Sequence, residues 1–127
     1  MNCPFCEINP KNLIIKTDLF HVRYDKYPVS LGHMLIIPNR HFDNYFDATR
    51  EEKQEIIYLI DICKSILDNK YKPDGYNIGI NCGEVAGQTV MHLHVHLIPR
   101  YKGDMEDSRG GVRGVIPEKQ NYKMEGN

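Results

Sequence analysis

Apolar residues fall along the chain in two different rhythms, and the change of rhythm marks the elements. Leu13 to Tyr24 is rich in Ile, Leu, Phe, Val and Tyr and predicts strand, with a break expected near Lys16–Asp18. Tyr27 to Gly32 carries Pro28, Ser30 and Gly32 and reads as a loop, and His33 to Pro38 is a short apolar run that fits a buried strand. From Thr49 the rhythm becomes helical: Ile56, Leu59, Ile60, Cys63, Ile66 and Leu67 recur on one face. Thr49 followed three residues later by Glu52 is a capping-box signature, and Pro73, Asp74 and Gly75 end the element. Tyr76 to Asn81 alternates as a strand, Gly83 to Gln88 is a glycine-bearing loop, and Met91 to Ile98 alternates again until Pro99 stops it. Strands, one long helix, then strands predict an α+β domain built on an antiparallel sheet of about five strands.

The 127 residues suit one domain, with a core over about residues 1–100 and a polar, glycine-rich tail over 101–127 that needs a partner surface to become ordered. With 16 basic and 17 acidic residues the chain lacks the basic excess of a general nucleic-acid binder, although a local anion pocket remains open. No stretch reaches the apolar length of a membrane span. MNCPFCEINP has neither a basic start nor an apolar run, so a cytoplasmic protein is expected. Cys63 and Cys82 stand alone and read as small buried hydrophobes. His21, in an alternating strand, reads as structural or exposed.

Chemistry concentrates in MHLHVHLIPR. His92, His94 and His96 recur at two-residue spacing, which on a strand places three imidazoles on one face, roughly 6.6–7 Å apart. Leu93, Val95 and Leu97 then face the core. Such a row is costly as packing, because buried polar groups need partners. Two readings compete: a metal site ligated by histidines at i and i+2, and a row that handles an anion. The preceding NCGEVAGQTV favours the second, since glycines let backbone N–H groups approach an anion and Gln88 and Thr89 can donate to phosphate oxygens. Imidazole serves as nucleophile as well as base.

The segment HLHVHLI resembles the histidine-triad motif of the HIT family, with AGQTV before it as in many members, and SLGHMLIIPNRHF resembles the family's earlier motif strand and loop. The resemblance covers roughly residues 1 to 100. It implies a compact HIT-like α+β fold that dimerises into a continuous sheet, and a hydrolase or transferase acting on nucleotides, purine nucleotides expected. His94 would be the nucleophile that forms a nucleotidyl intermediate, and His96 would contact the phosphate. His33 would lie near the α-phosphate, Asn81 and Gln88 near ribose or phosphate, and Thr89 near the scissile bond. Asn at position 81 leans toward phosphoramidases and Thr89 toward dinucleoside polyphosphate hydrolases, so cleavage of dinucleoside polyphosphates stands beside a purine nucleoside phosphoramidase and a non-catalytic nucleotide-binding module.

The pair Cys3 and Cys6 is spaced for metal or redox chemistry, and a thioredoxin-like use is disfavoured because no strand precedes Cys3. Some bacterial relatives bind zinc through such a pair. The resemblance implies that Cys3, Cys6, His41 and His92 form a structural zinc site, the alternative being an unligated reduced pair. Arg109 and Arg113 could meet a phosphate chain or form a solvated basic pair.

Overall fold

The computed structural model describes residues 2–122. Five strands form one antiparallel sheet: β1 (Leu13–Lys16), β2 (Phe20–Tyr24), β3 (Met34–Pro38), β4 (Gly75–Gly79) and β5 (Val95–Arg100). Their spatial order is β1-β2-β3-β5-β4, and the single long helix, α1 (Arg50–Tyr71), lies between β3 and β4 in the chain. The α+β architecture and strand number expected from the sequence are those observed.

The Leu13–Tyr24 run divides where the break was expected. Thr17 Oγ1 accepts from the backbone N–H groups of Leu19 and Phe20, turning the chain so that β1 and β2 pair as a hairpin. β3 is central and all five of its residues are buried. Thr49 caps α1 through a reciprocal capping box with Glu52, and the helix closes at Lys72 in the left-handed conformation just before Pro73. Its buried face, Ile56, Leu59, Cys63 and Leu67, packs on Phe20, Val22, Ile36, Val95 and Leu97. Each such side chain contributes about 1.5–3 kcal/mol when taken out of water. Burial also raises the Cys63 thiol to about 11, which keeps it an inert thiol in that core.

Two expected boundaries differ. β5 begins at Val95, not Met91: Met91 to His94 run outside the ladder, held by Leu93 N–H donating to the Phe42 carbonyl at 2.8 Å. β5 also runs through Pro99 to Arg100. The Pro99 carbonyl accepts from Ser30 Oγ, on the side away from β4, and Met34, the first residue of β3, pairs with Leu97. The imide nitrogen therefore lies where the ladder has already ended, and proline removes no bond. The tail also departs from expectation. Its described part folds on its own chain as short 3-10 turns at Gly111–Val115 and Pro117–Lys119, beside β4; residues 123–127 lie outside the described residues.

Gly32 sets the entry to β3. Its φ is +92°, and a Cβ there would sit 2.9 Å from Leu67 Cδ2 and 3.0 Å from the Tyr71 ring. Only glycine brings the loop this close to α1 and delivers His33 to its place.

Candidate active site and metal knuckle

Alternation along β5 puts Val95, Leu97 and Pro99 against the helix layer and leaves His96, Ile98 and Arg100 on the opposite face. His94 sits just before the strand on the same side, its ring 5.1 Å from that of His96. The expected row of three is thus two neighbouring rings on one face, while His92 turns aside into a cluster with Cys3, Cys6 and His41.

His94 Nδ1 lies 2.9 Å from the carbonyl oxygen of His92. A carbonyl only accepts, so the ring proton is on Nδ1 and the Nε2 lone pair is bare. His96 is fixed in the opposite sense by a chain of three groups. Val29 N–H donates to His33 Nδ1 at 3.0 Å, so the His33 proton is on Nε2. That proton is directed to His96 Nδ1 at 2.9 Å, with Asp25 Oδ2 3.4 Å away. His96 then carries its own proton on Nε2. One imidazole presents a lone pair and its neighbour presents an N–H, which is the pairing that attack on a phosphoryl group requires. Burial, then the adjacent His94 and His33 rings, push His96 down to about 4, so it is neutral at pH 7. Burial likewise lowers His33, against the opposing pull of the Asp25 carboxylate.

The cysteine–histidine cluster has the dimensions of a closed tetrahedral site. Its inner distances are Cys3 Sγ to His92 Nδ1 3.4 Å, Cys6 Sγ to His41 Nδ1 3.2 Å, Cys6 Sγ to His92 Nδ1 3.5 Å and His41 Nδ1 to His92 Nδ1 3.0 Å. Tetrahedral zinc with ordinary Zn–S and Zn–N bonds has edges of about 3.3–3.6 Å between such donors, which the distances from His92 to the two cysteines match, while those from His41 are shorter by up to a few tenths of an ångström. His92 Nε2 donates to the Pro38 carbonyl at 2.8 Å, which frees Nδ1 as ligand and aligns the ring, the usual second partner of a metal-binding histidine. The four residues fit zinc in composition, spacing and tautomer.

Phe5, between the two cysteines, was not singled out from the sequence. Its ring packs on His94 at 4.8 Å between centroids, and Arg23 covers it at 5.4 Å. Arg23 also donates to the carbonyls of Pro4 and Glu7 and to His21 Nε2, clamping the knuckle to β2. His21 is buried and donates from Nδ1 to Asn39 Oδ1, a structural role. Only proximity in the fold reveals Phe5; an apolar residue between two cysteines carries no distinctive signal.

The glycine loop is a short 3-10 turn, Glu84–Ala86, flanked by Gly83 and Gly87. Gln88 was expected to donate to phosphate, but its amide closes this loop. Oε1 accepts from Gly83 N–H at 2.8 Å, and Nε2 donates to the carbonyls of Asp43 at 2.6 Å and Val90 at 3.1 Å. Thr89 is exposed beside it. Asn81, His33 and His96 line one common cleft. Arg109 pairs with Asp107, whereas Arg113 donates to the Lys119 carbonyl and stacks on Tyr122, stapling the tail internally.

A five-stranded sheet that carries one imidazole as lone-pair donor, a second as proton donor, and a Cys₂His₂ knuckle beside them defines a histidine-bearing α+β domain of a recognisable kind. The HIT domain model matches residues 7–103, and the chain belongs to that family. It is 33% identical over 101 residues to a bis(5'-adenosyl)-triphosphatase of Dictyostelium discoideum, covering 80% of this chain and 68% of that one. It is 32% identical over 107 residues to an AP-4-A phosphorylase of Mycobacterium tuberculosis, covering 80% of this chain and 55% of that longer protein. The crystal structure of a zinc-bound histidine triad family protein from Mycobacterium smegmatis superposes with a TM-score of 0.75 at 32% identity, over 83% of this chain and 79% of that one.

Proposed function

We propose that this chain is a nucleotide hydrolase or transferase that acts at an α-phosphorus through a nucleotidyl–His94 intermediate, with dinucleoside polyphosphates as substrates. The observation that carries the reading is the fixed, opposite tautomers of His94 and His96. His94 Nε2 donates its lone pair to phosphorus while the bond to the bridging oxygen breaks and that oxygen leaves with its electron pair, as the end of a nucleoside phosphate or polyphosphate anion that carries the distal nucleoside. His94 becomes a positively charged nucleotidyl-imidazole that keeps its Nδ1 proton on the His92 carbonyl. His96 Nε2–H faces the charge that builds on the phosphoryl oxygens. Water, or another acceptor, then attacks phosphorus, the N–P bond returns its pair to Nε2, and a nucleoside monophosphate departs.

His33 holds the His96 tautomer; Asn81 and Thr89 stand at the rim for ribose or phosphate contact; Gln88 supports the loop between them. Cys3, Cys6, His41 and His92 would hold zinc. A site closed by four protein ligands supplies structural fixation. The names of the two relatives support the substrate class. A homodimer belongs to the same proposal, because β4 is paired on one side only and an open edge favours pairing.

The test is a slow substrate, acid-quenched during turnover and mapped by mass spectrometry. A nucleotidyl adduct on His94 is expected, and His94→Ala should lose roughly a thousandfold or more in rate. An adduct on another residue, or full activity in His94→Ala, overturns the mechanism.

A further inference from the structure

On the sheet face opposite α1, a cleft of about 630 Å³ runs from His96 along β4 and β5 to the C-terminal segment. That is the size of a small-molecule site. His96 and His33 form its inner end, and His94 is not among its walls. Its walls include the apolar Val29, Ile98, Met105, Val112 and Val115, interspersed with polar groups. Val112 and Val115 are 64% and 75% exposed and Val29 is 70% exposed, so three aliphatic side chains stand in solvent around one opening. Grouped exposed apolar surface marks a binding surface more often than scattered residues do.

The far wall is built, not draped. A Cβ at Gly110 would collide with the Gln120 carbonyl oxygen, and one at Gly114 would lie 2.6 Å from Gln120 Oε1, so both glycines let the segment fold back tightly on itself. Arg113 fastens the fold to Lys119. Tyr101 Oη donates to the Leu31 carbonyl and Ser30 Oγ to that of Pro99, tying the start of the segment to the loop that carries Val29.

Charge narrows the occupant. Arg100 is the one cation among the described residues of the lining, and it is fully engaged. Its Nε and Nη2 donate to Asp104 at 2.8 Å each, and Nη1 to Asn77 Oδ1 at 2.7 Å. No cation is left for a bare phosphate chain. Asn77 Nδ2 and the side-chain amide of Gln120 make no hydrogen bond to other described groups and can meet the edge of a flat heterocycle.

Direction narrows it further. In-line displacement puts the leaving group on the side of phosphorus opposite the nucleophile. A cleft that starts at His96 and extends toward Arg100 leads away from His94. We propose that this cleft is a second nucleoside site, formed by the chain's own C-terminal segment, which receives the departing nucleoside end of a dinucleoside polyphosphate. The proposal deepens the nucleotidyl-transfer reading and rests on it for direction.

Two substrates isolate the site: diadenosine triphosphate, and ATP, which carries the same adenylate and triphosphate without the distal nucleoside. The wild-type chain should favour the dinucleotide by roughly tenfold or more in kcat/KM, the worth of one well-packed aromatic group. Val112→Asp combined with Val115→Asp places charge on two exposed walls where folding is little affected, which circular dichroism confirms. That variant should lose roughly tenfold on diadenosine triphosphate and far less on ATP. Equal losses, or a wild type indifferent to the distal nucleoside, overturn the proposal. So does a change of mass in light scattering with unchanged discrimination, which makes the cleft a contact between copies of the chain. A binding arm in His94→Ala keeps the site separate from the chemistry. If the wild type cleaves neither substrate, the transfer reading falls. The cleft then stands or falls on whether diadenosine triphosphate outcompetes ATP for His94→Ala, and loses that advantage when both valines are replaced.

Discussion

Replacing His33 by Phe tests whether a residue that reaches the chemistry through its neighbour governs it. His33 is 2% exposed, so an aromatic ring of similar bulk keeps the packing. What disappears is the Nε2 proton directed to His96 Nδ1 at 2.9 Å, and the Nδ1 acceptor for Val29 N–H at 3.0 Å. A neutral hydrogen bond contributes about 1 kcal/mol net, so the bias toward the Nε2–H tautomer of His96 falls by roughly fivefold. If the donor were lost altogether, the rate would drop roughly 10²–10³-fold, as for removal of one oxyanion donor. Because the rate follows the fraction of His96 protonated at Nε2, a fivefold shift in that ratio lowers kcat by at most about fivefold, far short of the effect of His96→Ala. Val29 is exposed, so its freed N–H can turn to water, and the added stability loss should stay at or below about 1 kcal/mol.

Two measurements together decide the point. Nitrogen-15 spectra of the wild type should show His96 protonated at Nε2 and bare at Nδ1, and in His33→Phe a mixture of both tautomers. Steady-state rates should fall in step with the tautomer population. An unchanged His96 pattern with an unchanged rate refutes the reasoning; a lower rate with an unchanged pattern shows that His33 acts by another route.

Further outcomes follow from neighbouring features. Purified protein should contain about one zinc per chain, and Cys3→Ser should lower the melting temperature more than it impairs the chemical step; absence of tightly bound metal on elemental analysis removes the zinc site. Glu52→Ala deletes a buried carboxylate that caps α1 at Thr49 N–H and accepts twice from Arg40, so chemical denaturation should show a loss of about 1–3 kcal/mol. Glu52→Gln should lose less, because it keeps the cap and the half-exposed Arg40 regains water. His96, held at about 4 when folded, takes a proton near 6.5 when unfolded. The unfolded state thus binds more protons between those values, stability should fall as pH drops from about 6.5 to about 4, and thermal melts of His96→Gln should show a shallower slope across that window.

Much of this was legible in one dimension because two periodicities are local. Thr49 and Glu52 meet through the first turn of a helix, and Val95 and Leu97 alternate with His96 on a strand, so spacing alone gave the helix start and the buried face. What spacing could not give was where pairing stops. The Met91–His94 stretch alternates like strand, yet its pairing with β3 stops at Ile36–Val95, and the preceding residues bond elsewhere. Pro99 broke the pattern only on paper, because the missing N–H fell beyond Met34, where β3 begins. Gln88 shows the same limit in a side chain. Its amide suits phosphate, but whether it stays free depends on Gly83, Asp43 and Val90 reaching it first, one of them 45 positions away.

His92 accounts for the spacing of the histidine row better than a common face does. Its side chain turns to the cysteines, Nδ1 toward the metal position and Nε2 on the Pro38 carbonyl. Its backbone carbonyl meanwhile accepts the Nδ1 proton of His94. One residue thus belongs to the knuckle through its ring and to the proposed nucleophile through its main chain. A second path runs through Phe5, which the two cysteines carry onto the His94 ring. Metal at the knuckle would fix the backbone at His92 and the position of Phe5 together, and with them the direction in which the His94 lone pair points. The coupling needs no open coordination position and no ligand exchange, only that the carbonyl and the ring stay where the four ligands hold them. The proposed structural metal and the proposed nucleotidyl transfer would then be two parts of one arrangement, and two-residue spacing would suit both a ligand and a nucleophile on the same short segment.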